Sequence, residues 1–236
     1  MNKKAIIEKL IDDHQLDAVL FYSFENRFWY TDFISTLGYL LINKKEAKLL
    51  VDGRYITDAK TTAKNVIIEN FTNIFQSLAE ICQEEQITTI GFEADYITVG
   101  QLTDWKNMLP KINFVPLNLN ELRIIKNQEE INRIQKACLI GDLAYQDILK
   151  NVKTEMTERE LEAIILNSFS KNGATKASFE TIIASGLRSA LPNGKSGNKV
   201  INNNEIITCD FGCVYQGFCS DMTRTFSLGD MILIQN

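Results

Sequence analysis

Apolar residues recur at helical spacing near the start of the chain, where Ile6, Ile7, Leu10 and Ile11 share one face of a helix over residues 3–14. The continuous run at 17–22 (DAVLFY) reads as a largely buried strand. Residues 38–43 and 47–52, joined by the polar link 44–46, read as a hairpin, with further strands at 66–69 and 89–93. Helical patterns at about 73–85 and 97–108 lie beside them. Strands alternating with helices predict an α/β domain built on a mixed or parallel sheet.

The pattern breaks where Pro110 and Pro116 flank KINFV and the polar stretch 118–121 follows, which puts a domain boundary at about 120. Beyond it, residues 128–151 carry apolar positions near helical spacing. Thr157 and Glu160 form a capping box for the next helix, which runs to about Lys171 with Gly173 placed to cap its end. The texture then changes to strand and loop: 178–184, the polar stretch 192–204, and 205–226. There is no internal repeat or low-complexity tract.

Composition narrows the class. The 236 residues are 45% hydrophobic and 23% charged, ordinary globular usage that excludes a disordered, collagen-like or coiled-coil chain. Twenty-five Lys and Arg against 30 Asp and Glu leave a net charge of −5, so the overall field favours neither nucleic acid nor an anionic membrane. Charged residues interrupt the N-terminus before any secretory apolar region, and no apolar run approaches the ~20 residues of a membrane span. A cytoplasmic location is expected. Cys82, Cys138, Cys209, Cys213 and Cys219, an odd set at irregular spacing, read as reduced thiols. The single histidine, His14, sits on the polar side of the first helix, where a solvated or capping role is expected.

The chemistry-bearing segment is 206–226 (IITCDFGCVYQGFCSDMTRTF), two strand-like runs around a turn. With the turn centred on Tyr215 and Gln216, Asp210 faces Asp221, Cys209 faces Met222 and Phe211 faces Ser220. One face then carries Thr208, Asp210, Asp221, Thr223 and Thr225. The other carries Ile207, Cys209, Phe211, Phe218, Met222 and Phe226. Opposed carboxylates repel unless a cation offsets them, and hard divalent metals prefer carboxylate oxygen. The residues alone leave two readings open: a metal-holding pair, or two solvated aspartates on an exposed hairpin.

Rival motifs are weaker. A phosphate-binding loop ending at Gly194, Lys195 and Ser196 needs glycine at 189, where Ser189 stands. Cys209, Cys213 and Cys219 lack the spacing of a structural zinc site, and a cysteine nucleophile would have only His14 as its base. The aromatic group Phe21, Tyr22, Phe24, Phe28, Trp29 and Tyr30 reads as core.

The segments FETIIASGLRSALPNG (179–194) and TCDFGCVYQGFCSDMTRTF (208–226) resemble the Xaa-Pro aminopeptidase and prolidase branch of the pita-bread metallopeptidases. VDGRY (51–55) and the α/β pattern resemble that family's N-terminal domain, and RIIKNQEEINRIQKA (123–137) resembles the lead-in to its catalytic domain. The resemblance implies a creatinase/prolidase-type N-terminal domain over 1–120, a mixed sheet with flanking helices. The first half of an α+β pita-bread domain over 121–236 follows it.

It also implies two divalent ions, commonly manganese, cobalt or zinc, held by two aspartates, one histidine and two glutamates. Asp210 and Asp221 match the aspartates. The other three ligands match nothing here, and the expectation is a chain truncated before the second half of the domain. The ending MILIQN (231–236) departs from the family's continuation. Asn193 stands where this branch usually has a substrate-binding histidine, seventeen residues before Asp210, and asparagine does not change protonation state near neutral pH. Arg224 matches the family's TRT arginine, as support for the metal site or as an ordinary strand-end ion pair.

The implied substrate is a peptide with proline second, cleaved before the proline. The implied partner is a complementary C-terminal chain or a second copy, since half a sheet leaves an open edge. The rival expectation is a non-catalytic remnant or binding module that keeps the fold.

Overall fold

A computed structural model describes residues 2–229, so the stretch MILIQN lies outside the described residues. The chain forms two compact units, Met1–Ile125 and Lys126–Asn236.

The first unit opens with α1 (Lys3–Asp13), capped at its start by the Asn2 side chain, which accepts from Ala5 N at 3.3 Å, and at its end by His14. β1 (Ala18–Phe21) follows, then α2 (Phe24–Thr31), β2 (Tyr39–Asn43), β3 (Ala47–Val51), α3 (Ile56–Thr62) and β4 (Ile67–Asn70). α4 (Ile74–Glu84), β5 (Thr89–Glu93), α5 (Val99–Met108), β6 (Asn113–Leu117) and a 3-10 turn at Asn120–Arg123 complete it. The six strands form one mixed sheet in the order β4-β3-β2-β1-β5-β6. Alternate residues of β1 serve opposite faces. Val19 and Phe21 join a core built with Ile7, Ile11, Trp29 and Ala59 of α1, α2 and α3, while Ala18 and Leu20 join one built with Leu78, Ile81 and Trp105 of α4 and α5.

One expectation changes. Residues 110–116 are not a break: 113–117 form β6, parallel to β5 at the end of the sheet, where Pro116 has no second neighbour awaiting its missing N–H. The aromatics read as core are mostly so, with Phe21, Phe28, Trp29 and Tyr30 buried, the last three on α2, whose N-cap Ser23 accepts from Asn26 N.

The second unit has α6 (Gln128–Asn151) and α7 (Glu158–Lys171), then β7 (Lys176–Ala177), β8 (Ile182–Ser185), a single 3-10 turn at Gly186–Ala190, and β9 (Glu205–Phe211). β10 (Cys213–Tyr215), β11 (Phe218–Cys219) and β12 (Met222–Leu228) follow. The capping box of Thr157 and Glu160 opens α7, and Gly173 follows its C-cap with φ at +88°. Two three-stranded sheets result, β11-β10-β7 and β12-β9-β8. Their inner side, including Ile183, Ile207, Cys209, Phe211 and Cys213, packs on Ala137, Ile140, Ala144, Leu161 and Ile165 of the two helices. Gly141 of α6 has no side chain where Met222 approaches, with a Cβ there falling 2.7 Å from its Cε. No described helix is long and apolar enough to cross a membrane.

Candidate metal centre

β9 aims Ile207, Cys209 and Phe211 into the core, each at zero exposure, so strand alternation turns Thr208 and Asp210 to the opposite, open face. β12 repeats the pattern, with Met222, Phe226 and Leu228 packed on the core and Thr223 and Thr225 exposed. Thr208, Asp210, Thr223 and Thr225 therefore share one face, as the hydrophobic pattern implies, and Asp221 is exposed just before β12.

The register differs from the sequence expectation by two residues. Asp210 lies opposite Thr223, Cys209 opposite Arg224 and Phe211 opposite Met222. The turn is the two-residue step Gln216–Gly217, with φ at +47° and +83°, both in the left-handed region required by a type I′ hairpin. A slip of two leaves every side chain on its own face. Asp210 and Asp221 are thus not directly opposed: Asp210 faces Thr223, and Asp221 precedes the first paired residue of β12, Met222.

Between them the hairpin passes from one sheet to the other at Gly212. A Cβ at Gly212 would lie 2.5 Å from Ser178 Oγ, 2.8 Å from Ser220 C and closer still to Ser220 O, so only glycine lets the strands approach here. Ser178 fastens the crossing, donating from N to Gly212 O at 3.0 Å and from Oγ to Ser220 O at 2.8 Å. Sequence reading missed Ser178. A glycine inside an apolar strand pattern is the signal that marks such a close approach.

Asp210 Oδ1 accepts from Thr223 Oγ1 at 3.0 Å, and Thr208 and Thr225 hydroxyls meet at 3.3 Å. Asp221 has no polar partner and neither carboxylate has a cation among the described residues. Two carboxylates with unused lone pairs are of the donor type that a hard divalent cation takes. No group of three or more His, Cys, Asp and Glu able to hold a metal occurs among the described residues.

Arg224 leaves this face. Its guanidinium accompanies the α6 side, 3.7 Å from Asp142 Oδ1 and 5.9 Å from the Tyr145 ring centroid, with Nη1 donating to Thr223 O at 3.0 Å. Asn193 is exposed on the loop after the 3-10 turn, with Gly194 buried behind it. The cysteines stay apart from this chemistry: burial pushes the Cys209 thiol up to about 12 and raises that of Cys213.

Comparison with known proteins adds the lineage. Residues 5–125 match the creatinase/prolidase N-terminal domain, and residues 132–234 match metallopeptidase family M24. A Mycoplasma genitalium protein, provisionally named an Xaa-Pro aminopeptidase, is 35% identical over 96% of this chain and 64% of its own length. The Xaa-Pro dipeptidase of Pyrococcus horikoshii is 34% identical over 97% of this chain and 65% of its own. Among solved structures, the Xaa-Pro dipeptidase from Bacillus anthracis superposes with a TM-score of 0.92 at 33% identity, covering 99% of this chain and 66% of that one. The chain spans about two-thirds, or slightly less, of the length of these relatives.

Proposed function

Because this chain belongs to the creatinase/prolidase family, with the first part of an M24 metallopeptidase domain behind its N-terminal domain, we propose that it contributes Asp210 and Asp221 to a divalent-metal site. That site would hydrolyse the peptide bond preceding proline. M24 enzymes are metallopeptidases, and their substrates are peptides. The observation that supports the reading is the open face of β9 and β12 that holds Asp210, with Asp221 exposed immediately before β12 and no cationic side chain offsetting either charge among the described residues.

Bound divalent ions supply Lewis-acid polarisation of the scissile carbonyl and a water acidified toward neutral pH. The protein's own residues set the frame. Thr223 donates to Asp210 and fixes one of its oxygens, and Ser178 and Gly212 hold the hairpin crossing that sets Asp221 relative to Asp210. Asn193 can donate to and accept from a peptide backbone but cannot relay a proton, so this position orients substrate without acid–base work. Arg224 supports the face only through its strand. Two of the five family ligands have matches in this sequence, so hydrolysis is expected to need the histidine and two glutamates from a further segment.

Titration with Mn2+, read by calorimetry, tests the proposal together with a proline-second peptide assay in the presence of the C-terminal third of a relative. Binding by the wild-type chain that is lost in both Asp210→Asn and Asp221→Asn supports it, as does peptide hydrolysis restored by the added segment. Equal Mn2+ binding in all three proteins would refute the assignment.

A further inference from the structure

We infer that Glu158 is a positioning residue that locks both ends of the loop carrying Asn193, and so sets where Asn193 stands beside the Asp210 face; this rests on reading that face as the metal and substrate side. Glu158, the first residue of α7, has no exposed surface. Its Oε1 accepts from Ser185 N at 2.9 Å, Ser185 Oγ at 3.1 Å and Arg188 Nε at 3.2 Å, where the loop begins. Its Oε2 accepts from Gly197 N at 3.1 Å, where the loop ends. One carboxylate thus ties residues twelve apart in sequence. The backbone repeats the tie, with Arg159 N donating to Gly197 O at 3.1 Å and Glu158 N to Lys199 O at 3.0 Å.

Within the loop Arg188 is a cross-strut, bonded to Glu158 through Nε and to Lys195 O through Nη2 at 2.6 Å. Ser196 lays the returning limb along β8, its Oγ accepting from Ile183 N at 3.1 Å and donating to Thr181 O at 3.2 Å. β8 is the strand that pairs Ile182 with Asp210, so the loop runs beside the proposed metal face. Gly194 folds the tip back, since a Cβ there would come 3.1 Å from Ala184 Cβ. Asn193, next to it, is left exposed with no side-chain hydrogen bond among the described residues. Every polar contact of Glu158 serves the loop and its flanks.

Glutamine at 158 would keep the shape and replace one acceptor by a donor, so its amide N–H would oppose either the Gly197 N–H or the donors of Ser185 and Arg188. The experiment places a nitroxide at position 193 through Asn193→Cys, in a background whose native cysteines are replaced, and reads its mobility by electron paramagnetic resonance. Amide hydrogen exchange is followed in parallel. The expected result is a constrained label in the parent, a mobile one in E158Q, and exchange at Ser185 and Gly197 faster by about tenfold or more. Exchange across β9 and β12 should be unchanged, which separates a loop anchor from a general support of the fold.

R188Q, at a partly exposed site, should loosen the label in the same direction and to a smaller extent. D210N should leave the label's mobility alone while abolishing its broadening by Mn2+. A label equally constrained in parent, E158Q and R188Q, or already mobile in the parent, would overturn the inference. So would global unfolding of E158Q with no change in R188Q. Absence of Mn2+ broadening in the parent, with the mobility pattern intact, would count against the metal reading and uphold the clamp.

Discussion

Substituting Gly212 by alanine tests how the two aspartates are brought together. Its effect arises from space alone, because Gly212 is not among the residues with positive φ. The added Cβ would sit 2.8 Å from Ser220 C, against about 3.5–4.0 Å for relaxed carbon contacts, and Ser220 presents backbone that no rotamer change can withdraw. The strands must part by something on the order of 1 Å. Overpacking of this kind costs about 1–3 kcal/mol. The two Ser178 hydrogen bonds across the crossing would be strained or lost, at roughly 0.5–1.5 kcal/mol each. A total of about 2–6 kcal/mol corresponds to a fall in melting midpoint on the order of 10–40 °C for a unit of this size. Differential scanning calorimetry measures it, with Gly53→Ala as the control. No atom lies within 4 Å of a Cβ at Gly53, and its cost should stay within about 0.5 kcal/mol. Mn2+ affinity should fall along with stability, because Asp221 moves relative to Asp210. A Gly212→Ala protein melting within a few degrees of wild type, with Mn2+ affinity intact, would refute the close-approach argument.

The other predictions concern both units. Glu93 is 1% exposed and accepts from Tyr22 N, Ser23 N, Ser23 Oγ and Asn26 Nδ2, so Glu93→Gln should cost about 3–5 kcal/mol in urea unfolding of the first unit, and a loss under 1 kcal/mol would refute the network's role. Burial pushes the Glu205 carboxyl up, but Lys199 Nζ at 2.6 Å together with Asn202 N at 3.0 Å outweighs it and leaves the group below its usual 4.5. That contribution to stability is present above about pH 4.5 and is lost as pH falls through the lowered folded value, so Lys199→Met should flatten the acid limb of the stability curve; an unchanged limb would contradict the pairing. Alkylation near pH 8 should modify exposed Cys219 and spare Cys209 and Cys82, whose thiols burial holds at about 12 and about 11, as peptide mapping by mass spectrometry would show.

The polar face of the hairpin was legible in the sequence and its register was not, for one physical reason. Apolar alternation in 206–226 fixes which side each residue takes, and a pairing shifted by two satisfies that alternation equally well. Burial of Ile207, Cys209 and Phe211 follows from either register. The turn decides: Gln216 and Gly217 both adopt positive φ, and glycine is the residue that accepts this most easily at the second position of a type I′ turn. Placing Gly217 inside the turn instead of after it pairs Tyr215 with Phe218, and from there Asp210 with Thr223. β6 was hidden because proline counts as a breaker until a strand is known to lie at a sheet's end. Glu158 was hidden differently. The capping box drew attention to Thr157 and Glu160, whose roles are local and visible at short spacing, whereas the partners of Glu158 lie 27 and 39 residues away in Ser185 and Gly197. Local chemistry can therefore be read along the chain, while a buried carboxylate that ties distant segments becomes evident only when folding has brought its donors around it.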